Sequence, residues 1–182
     1  MRFAKALLAI GFVLLLGSFT TAAWDLFVSK EGNFRIRFPK EPKQGEKIVS
    51  GSIGQLNETH YLYTVGKFRD DNLTYDVGFV DYSDTLINTN YKHDLVDTFL
   101  SSVAYSAVHD IQGNVISLEK THYKQYPGRH LKIDHNNGEM VVNMKIYLVK
   151  SRVYYLEVRC KPEKEKNPSI GNFFNSFEII KP

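Results

Sequence analysis

Three groups of side chains carry the chemistry that this sequence could perform. The first is a set of histidines. His122 and His130 flank Tyr126-Pro127-Gly128-Arg129, and a hairpin turning there would bring both imidazoles beside the Arg129 guanidinium. Such a group could move protons. A metal centre needs three or four converging ligands. His135 lies five residues beyond His130, on the opposite strand face, and does not supply the third. The sequence holds no His-Glu-x-x-His and no cysteine pair, so the expectation is no metal and no cofactor. The second group is acidic: Asp70, Asp71, Asp76, Asp81 and Asp84. A calcium loop alternates oxygen ligands and carries glycine at its sixth position, a register that Asp70-Asp71-Asn72 lacks. Asp76 and Asp81 have opposite strand parity, which predicts solvated carboxylates and not a catalytic pair. The third group is the basic run Arg35, Arg37, Lys40, Lys43 and Lys47, diluted by Glu41 and Glu46. It fits an anionic partner or a membrane surface, and fits solvated strand charges equally well.

Known catalytic motifs do not add to this. Gly66-Lys67 has neither the upstream glycine nor the Ser/Thr of a phosphate-binding loop. Gly51-Ser52-Ile53-Gly54 places serine directly after glycine, so it is no nucleophile elbow. Cys160 is the single cysteine. It shares strand parity with Leu156 and Val158, which predicts a buried apolar side chain and not a nucleophile. Asn57-Glu58-Thr59 and Asn72-Leu73-Thr74 fit the glycosylation sequon, which matters only in a host that glycosylates exported proteins. No catalytic residue is assigned.

The elements that must position these side chains read as strands with one long helix. Trp24 to Val28 is a short edge strand. Phe34, Ile36 and Phe38 alternate with Arg35 and Arg37, the period of a half-buried strand, and Pro39 and Pro42 end it. Glu46 to Lys67 reads as two strands around Gly51 to Gly54, and Leu73 to Tyr82 as another. The period then changes. Leu95, Val96, Phe99, Leu100, Val103 and Ala107 predict an amphipathic helix from about Tyr91 to His109. Asn88 to Asn90 offers caps at its start, and Gly113 a left-handed cap at its end. Val115 to Tyr123 is a strand, followed by a type II turn at Tyr126-Pro127-Gly128-Arg129. Leu131 with Ile133, the Asn137-Gly138 hairpin, Met140 to Leu148, and Tyr154 to Val158 predict a three-stranded antiparallel meander. Asn167-Pro168 starts a short helix docked by Phe173, Phe174 and Phe177, and Glu178 to Ile180 adds an extended end. The class is α+β: a mostly antiparallel β-sheet with helices packed on it.

The chain of 182 residues opens with a basic start, Arg2 and Lys5, then the apolar run Leu7 to Leu16, then small residues to Ala23. That is a secretory signal peptide over residues 1–23, with cleavage between Ala23 and Trp24. Residues 24–182 would form a single domain, soluble after cleavage, without a stable membrane span. Its charges nearly balance once Arg2 and Lys5 are set aside, which argues against a nucleic-acid partner.

Three motifs carry a family resemblance. Asn33-Phe34-Arg35-Ile36-Arg37-Phe38-Pro39-Lys40-Glu41-Pro42 resembles the start of exported PsbP/DcrB-like domains. Tyr126-Pro127-Gly128-Arg129 resembles their midway Pro-Gly-Arg turn, and Phe173-Phe174-Asn175-Ser176-Phe177-Glu178-Ile179 their helix-to-strand ending. The resemblance spans Trp24 to Ile180. It implies an α/β/α sandwich. The superfamily includes photosystem accessory subunits, a Ran-binding nuclear protein and bacterial periplasmic or lipoprotein members, and it supplies no shared catalytic residues. No cysteine follows the leader where the lipoprotein members carry one.

The function this implies is an exported, non-enzymatic binding or accessory module, periplasmic or secreted, that contacts another envelope or secreted protein. Tyr61, Tyr63 and Tyr75, with Arg35 and Arg37, are the candidate contact surface, since tyrosine joins apolar area to a polar tip. Tyr154 and Tyr155 belong to the same tyrosine-rich strands. Exposure of the tyrosines on one face would support binding, and burial would weaken it. The alternatives are an enzyme with a site at His122, Arg129 and His130 beside Pro127-Gly128, or a protein anchored by an uncleaved N-terminus.

Overall fold

The computed structural model describes residues 24–51, 54–66 and 70–180. The expected signal peptide, residues 1–23, lies outside them. Ten strands and two helices follow in chain order: β1 (Asp25–Ser29), β2 (Phe34–Phe38), β3 (Lys43–Gly51), β4 (Gly54–Thr64), β5 (Asn72–Asp81), α1 (His93–Ile111), β6 (Asn114–Tyr123), β7 (Tyr126–His135), β8 (Met140–Val149), β9 (Arg152–Cys160), α2 (Pro168–Asn175) and β10 (Glu178–Ile179). Seven strands form one sheet in the order β3-β4-β5-β9-β8-β7-β6, and β1-β2-β10 form a second. Every pairing is antiparallel.

The large sheet is covered on both sides. The small sheet and α2 close one face over an aromatic core that includes Phe34, Phe38, Tyr61, Tyr75, Tyr154 and Phe173. On the other face α1 packs Val96, Leu100, Val103 and Ala107 against Leu131, Ile133, Ile146 and Leu148. This double cover explains β8. Its Val142, Met144, Ile146 and Leu148 face α1, while Val141, Tyr147 and Val149 face the aromatic core, so an almost unbroken apolar run is needed. In β2 only Phe34, Ile36 and Phe38 are buried, because its outer face has no cover.

Local signals were placed unevenly. Asn167 caps α2 as expected: its Oδ1 accepts from the Ser169 N–H at 3.0 Å, with Pro168 in the first helical position. α1 begins at His93 without a side-chain cap, and Asn88 Oδ1 instead accepts from the Asn90 N–H within the preceding turn. At its end Gln112, not Gly113, takes the left-handed conformation, at φ 56°.

The largest correction concerns Tyr126-Pro127-Gly128-Arg129. These residues lie inside β7, and the chain reverses one step earlier, between Tyr123 and Tyr126, where Lys124 adopts φ 53°. Pro127 is tolerated because it pairs only with His122 of β6, before the pairing with β8 begins at Gly128. Gly128 is required by close approach: a Cβ there would lie 2.2 Å from the Ile146 carbonyl oxygen. With β6 paired to β7 the predicted three-stranded meander becomes four-stranded.

Candidate functional site

Strand alternation builds a polar cleft beneath α1. On β9, Leu156 and Val158 point to the aromatic core, so Tyr155, Glu157 and Arg159 point toward the helix. On β5, Tyr75, Val77 and Phe79 face the aromatic core, leaving Asp76 and Gly78 on the helix side. On β4 the same parity turns Glu58 toward the helix and Tyr61 away from it. α1 rests on β7 and β8 and also touches β3 at the far edge of the sheet. Between these contacts a cleft of about 390 Å³ remains, roofed by Phe99, Ser102, Val103, Ser106 and Ala107 of the helix. That volume lies in the range of ligand pockets.

The cleft is charged, and its charges are paired. Lys47 lies directly across from Glu58, with its Nζ 3.1 Å from Oε1. Glu58 is only 2 % exposed. Burial pushes its carboxyl up to about 7, against the attraction of Lys47 and with some repulsion from Asp76. Gly78 makes room for it, since a Cβ there would fall 2.4 Å from Glu58 Oε1. Burial works to lower the Lys47 ammonium, but Glu58 and Asp76 outweigh it and hold the group above its ordinary value. His60 Nδ1 sits 3.1 and 3.3 Å from the two Asp76 oxygens, and that hydrogen bond raises the imidazole against its burial. Asp76 stands directly opposite Glu157, and the Arg159 guanidinium donates to Glu157 at 2.5 Å. Tyr82 and Phe99 meet edge to face at 5.0 Å beside the cleft. Among the described residues no group of three His, Cys, Asp or Glu side chains is placed to hold a metal ion. The cleft can recognise a small group by shape and charge, and Glu58 can exchange a proton near neutrality.

The predicted contact tyrosines are not a surface. Tyr61 and Tyr75 lie in the aromatic core, 5 % and 0 % exposed, and Tyr154 is buried with them. Tyr63 is half-buried, stacked on Tyr75 at 6.4 Å. Tyr155 faces the cleft instead. The buried hydroxyls are satisfied from within: Tyr75 donates to Asp70 at 2.8 Å and Tyr154 to the Gly32 carbonyl at 2.7 Å. Arg35 and Arg37 are exposed on the outer face of β2, where Arg35 pairs with Glu178 and Arg37 donates to the Trp24 carbonyl.

The site expected beside Pro127-Gly128 does not form. Strand alternation turns His122 and Arg129 to the helix side, while His130 meets Phe174 of α2 on the other face. Arg129 is a structural tie: it donates to the Asp97 carbonyl at 2.8 Å and to its carboxylate at 2.7 Å, fastening α1 to the sheet. The acidic stretch does not converge on one point, but it is not the solvated face expected: Asp76 is only 14 % exposed and lines the cleft, because α1 roofs its side of β5. Asp76 meets His60, Asp81 pairs with Arg152, and Asp71 with Lys164. Cys160 is fully buried, as expected, and burial pushes its thiol up to about 11. Asn72 is buried against Tyr75 and Asn167, so its sequon is closed in the folded chain.

Sequence reading missed Glu58, His60, Glu157 and Arg159. Glu157 and Arg159 alternate with Leu156 and Val158, and Glu58 and His60 with Asn57, Thr59 and Tyr61; both read as a solvated strand face, and only the helix above them makes it a cleft. The usable signal was Glu157 and Arg159 on a strand flanked by two others, where outward charges are less expected.

No family model matches this chain, and no curated protein matches its sequence. Among solved structures, the fold is similar to the solution structure of cyanobacterial PsbP (CyanoP) from Synechocystis sp. PCC 6803. The TM-score is 0.55 at 11% identity, over 93% of this chain and 99% of that one. The described residues contain no helix long and apolar enough to cross a membrane.

Proposed function

We propose that this chain, whose fold is PsbP-like, is an exported, non-enzymatic binding module that engages another envelope or secreted protein. Its recognition site is the cleft beneath α1. The observation that carries this reading is the pairing inside the cleft. Lys47 with Glu58 and Arg159 with Glu157 pair within the lining, and His60 pairs with Asp76 from behind it, which leaves Asp110 as the fourth carboxylate. Such a set presents a shaped charge pattern to a partner without committing a nucleophile. Ser102 spends its hydroxyl proton on the Thr98 carbonyl, and Cys160 lies on the other side of the sheet. Export rests on residues 1–23, and sizing the N-terminus of the exported protein separates cleavage before Trp24 from retention as an anchor.

The test is a crosslinking pull-down of the tagged chain from its native envelope or secretome, with three forms. The unaltered chain and Leu26→Asp, on the outer face of β1, are expected to capture one stoichiometric partner. Ser106→Trp, which fills the cleft roof, is expected to lose it. Recovery of the chain alone, or capture indifferent to Ser106→Trp, overturns the reading.

A second reading starts from Glu58. A buried carboxyl held near neutrality beside a cleft suits proton transfer. Turnover of a substrate that Glu58→Gln abolishes would establish an enzyme in place of a binding module.

A further inference from the structure

We infer that the cleft beneath α1 takes an organic cation, an ammonium or guanidinium group carried on an apolar stem. The inference rests on the reading of the cleft as a binding site and names what that site holds.

Charge is the first argument. Among the described residues, Glu58, Asp76, Glu157 and Asp110 line the cleft, against Lys47 and Arg159 as permanent cations. Each of those cations is already drawn to one carboxylate, Lys47 to Glu58 and Arg159 to Glu157. His60 stands behind Asp76, and even protonated it leaves the lining negative. Asp76 and Glu157 oppose each other directly across the β5–β9 ladder. Like charges in that position repel, and a cation placed between them relieves the repulsion.

The remaining lining has the chemistry of cation recognition. Tyr82, Phe99 and Tyr155 bring three aromatic rings to the cleft, and ring faces attract ammonium and guanidinium groups. Ser102 donates its own proton to the Thr98 carbonyl at 3.1 Å, so it offers the cleft lone pairs alone, an acceptor for N–H donors. Val103, Ala107 and Met144 supply an apolar wall for a hydrocarbon stem.

Other occupants fit less well. An anion meets surplus carboxylates, and both cations are already engaged. A neutral apolar molecule would strip water from this charged lining and return neither charge nor hydrogen bond, which costs free energy. A metal ion needs convergent ligands, and the described residues do not provide three.

The test titrates n-hexylammonium, 1-hexanol and hexanoate into the chain at pH 8, following amide NMR shifts at Gly78, Ser102 and Ser106. The expected result is n-hexylammonium binding at least tenfold more tightly than either of the others, with shifts centred on those three amides. Equal or tighter binding of hexanol or hexanoate overturns the inference, as does an absence of shifts with n-hexylammonium. Glu157→Gln is expected to weaken n-hexylammonium about tenfold, the loss of one charge-assisted contact. Ser102→Ala, at a solvent-accessible position of the cleft roof, is expected to weaken it about threefold without disturbing the fold, so a failure of Glu157→Gln to fold leaves the test intact. Unchanged affinity in Ser102→Ala together with a folded, unchanged Glu157→Gln overturns it.

A fourth probe distinguishes the source of the cation. Nα-acetyl-lysine N-methylamide binding as tightly as n-hexylammonium assigns the cleft to a basic side chain of a protein partner. Its exclusion assigns the cleft to a free amine. The two readings also fail separately. Partner capture unaffected by Ser106→Trp sinks the binding site itself. Loss of capture in Ser106→Trp, with no n-hexylammonium bound, sinks only the cation.

Discussion

The two faces of the seven-stranded sheet are made from the same strands and have opposite characters. One face is closed by the small sheet and α2 over a continuous aromatic cluster in which Phe34, Phe38, Tyr75, Tyr154 and Phe173 are almost wholly buried. The other is closed by α1, which rests on β7 and β8 and touches β3 at the far edge, and leaves β4, β5 and β9 as the floor of a charged cleft. Ring meets ring on the first face, Phe38 with Phe173 at 5.3 Å and Tyr75 with Phe173 at 5.2 Å. Charge meets charge on the second. Strand parity produces the contrast: alternate positions of β4, β5 and β9 face an aromatic core on one side and a charged cleft on the other.

The sharpest way to break this division is to damage the aromatic face. Phe173→Ala removes a fully buried ring and is expected to cost about 3–5 kcal/mol, read by urea denaturation. A cost near 1 kcal/mol would mean that this face does not carry the fold. Next comes the tie between α1 and the sheet. Arg129→Met removes the charge-assisted bonds to Asp97 and is expected to cost about 2–3 kcal/mol, with faster hydrogen exchange in the N-terminal turns of α1. Exchange spread evenly over the chain would remove the role assigned to Arg129.

On the cleft face the expected effect is a pH dependence. Glu58 has its folded pKa raised to about 7 from an ordinary 4.5, so the folded chain binds the extra proton between those values. Stability from this group is therefore present below pH 4.5 and is lost as pH rises toward 7, by about 2–3 kcal/mol. His60 is raised above 6.5 and adds a loss of the same sign at higher pH. Denaturation midpoints compared at pH 4.5 and 6.5 span the Glu58 step, with the buried His130, lowered from its ordinary value, acting in the opposite direction, and Glu58→Gln is expected to flatten that part of the profile. A slope of unchanged size in Glu58→Gln would place the titrating group elsewhere. The smallest effect belongs to the uncovered outer surface. Arg35→Ala breaks an exposed pair with Glu178 and is expected to change stability by about 0–1 kcal/mol, again by denaturation.

Asn167-Pro168 was legible because a cap is made by a side chain and the backbone two residues on. The alternation of Phe34, Ile36 and Phe38 was legible for the same reason of short range. Pro127-Gly128 was misread because those residue types suit a turn, whereas the glycine is there to admit the Ile146 carbonyl from a strand paired eighteen residues later in sequence. Tyr61 and Tyr75 were misread because a tyrosine on a strand looks the same whether its face meets water or another sheet.

The strand periods, the two helices, the α+β class and the burial of Cys160 each follow from residue types within a few positions of one another. Which faces of β4, β5 and β9 meet solvent, an aromatic core or a helix depends on how distant elements pack. The same alternation of Glu157 and Arg159 with Leu156 and Val158 serves an open surface or a roofed cleft, and the helix that makes the difference comes from some fifty residues earlier in the chain. Long-range packing chose between those outcomes because it sets the dielectric around Glu58, which no neighbour in sequence can do.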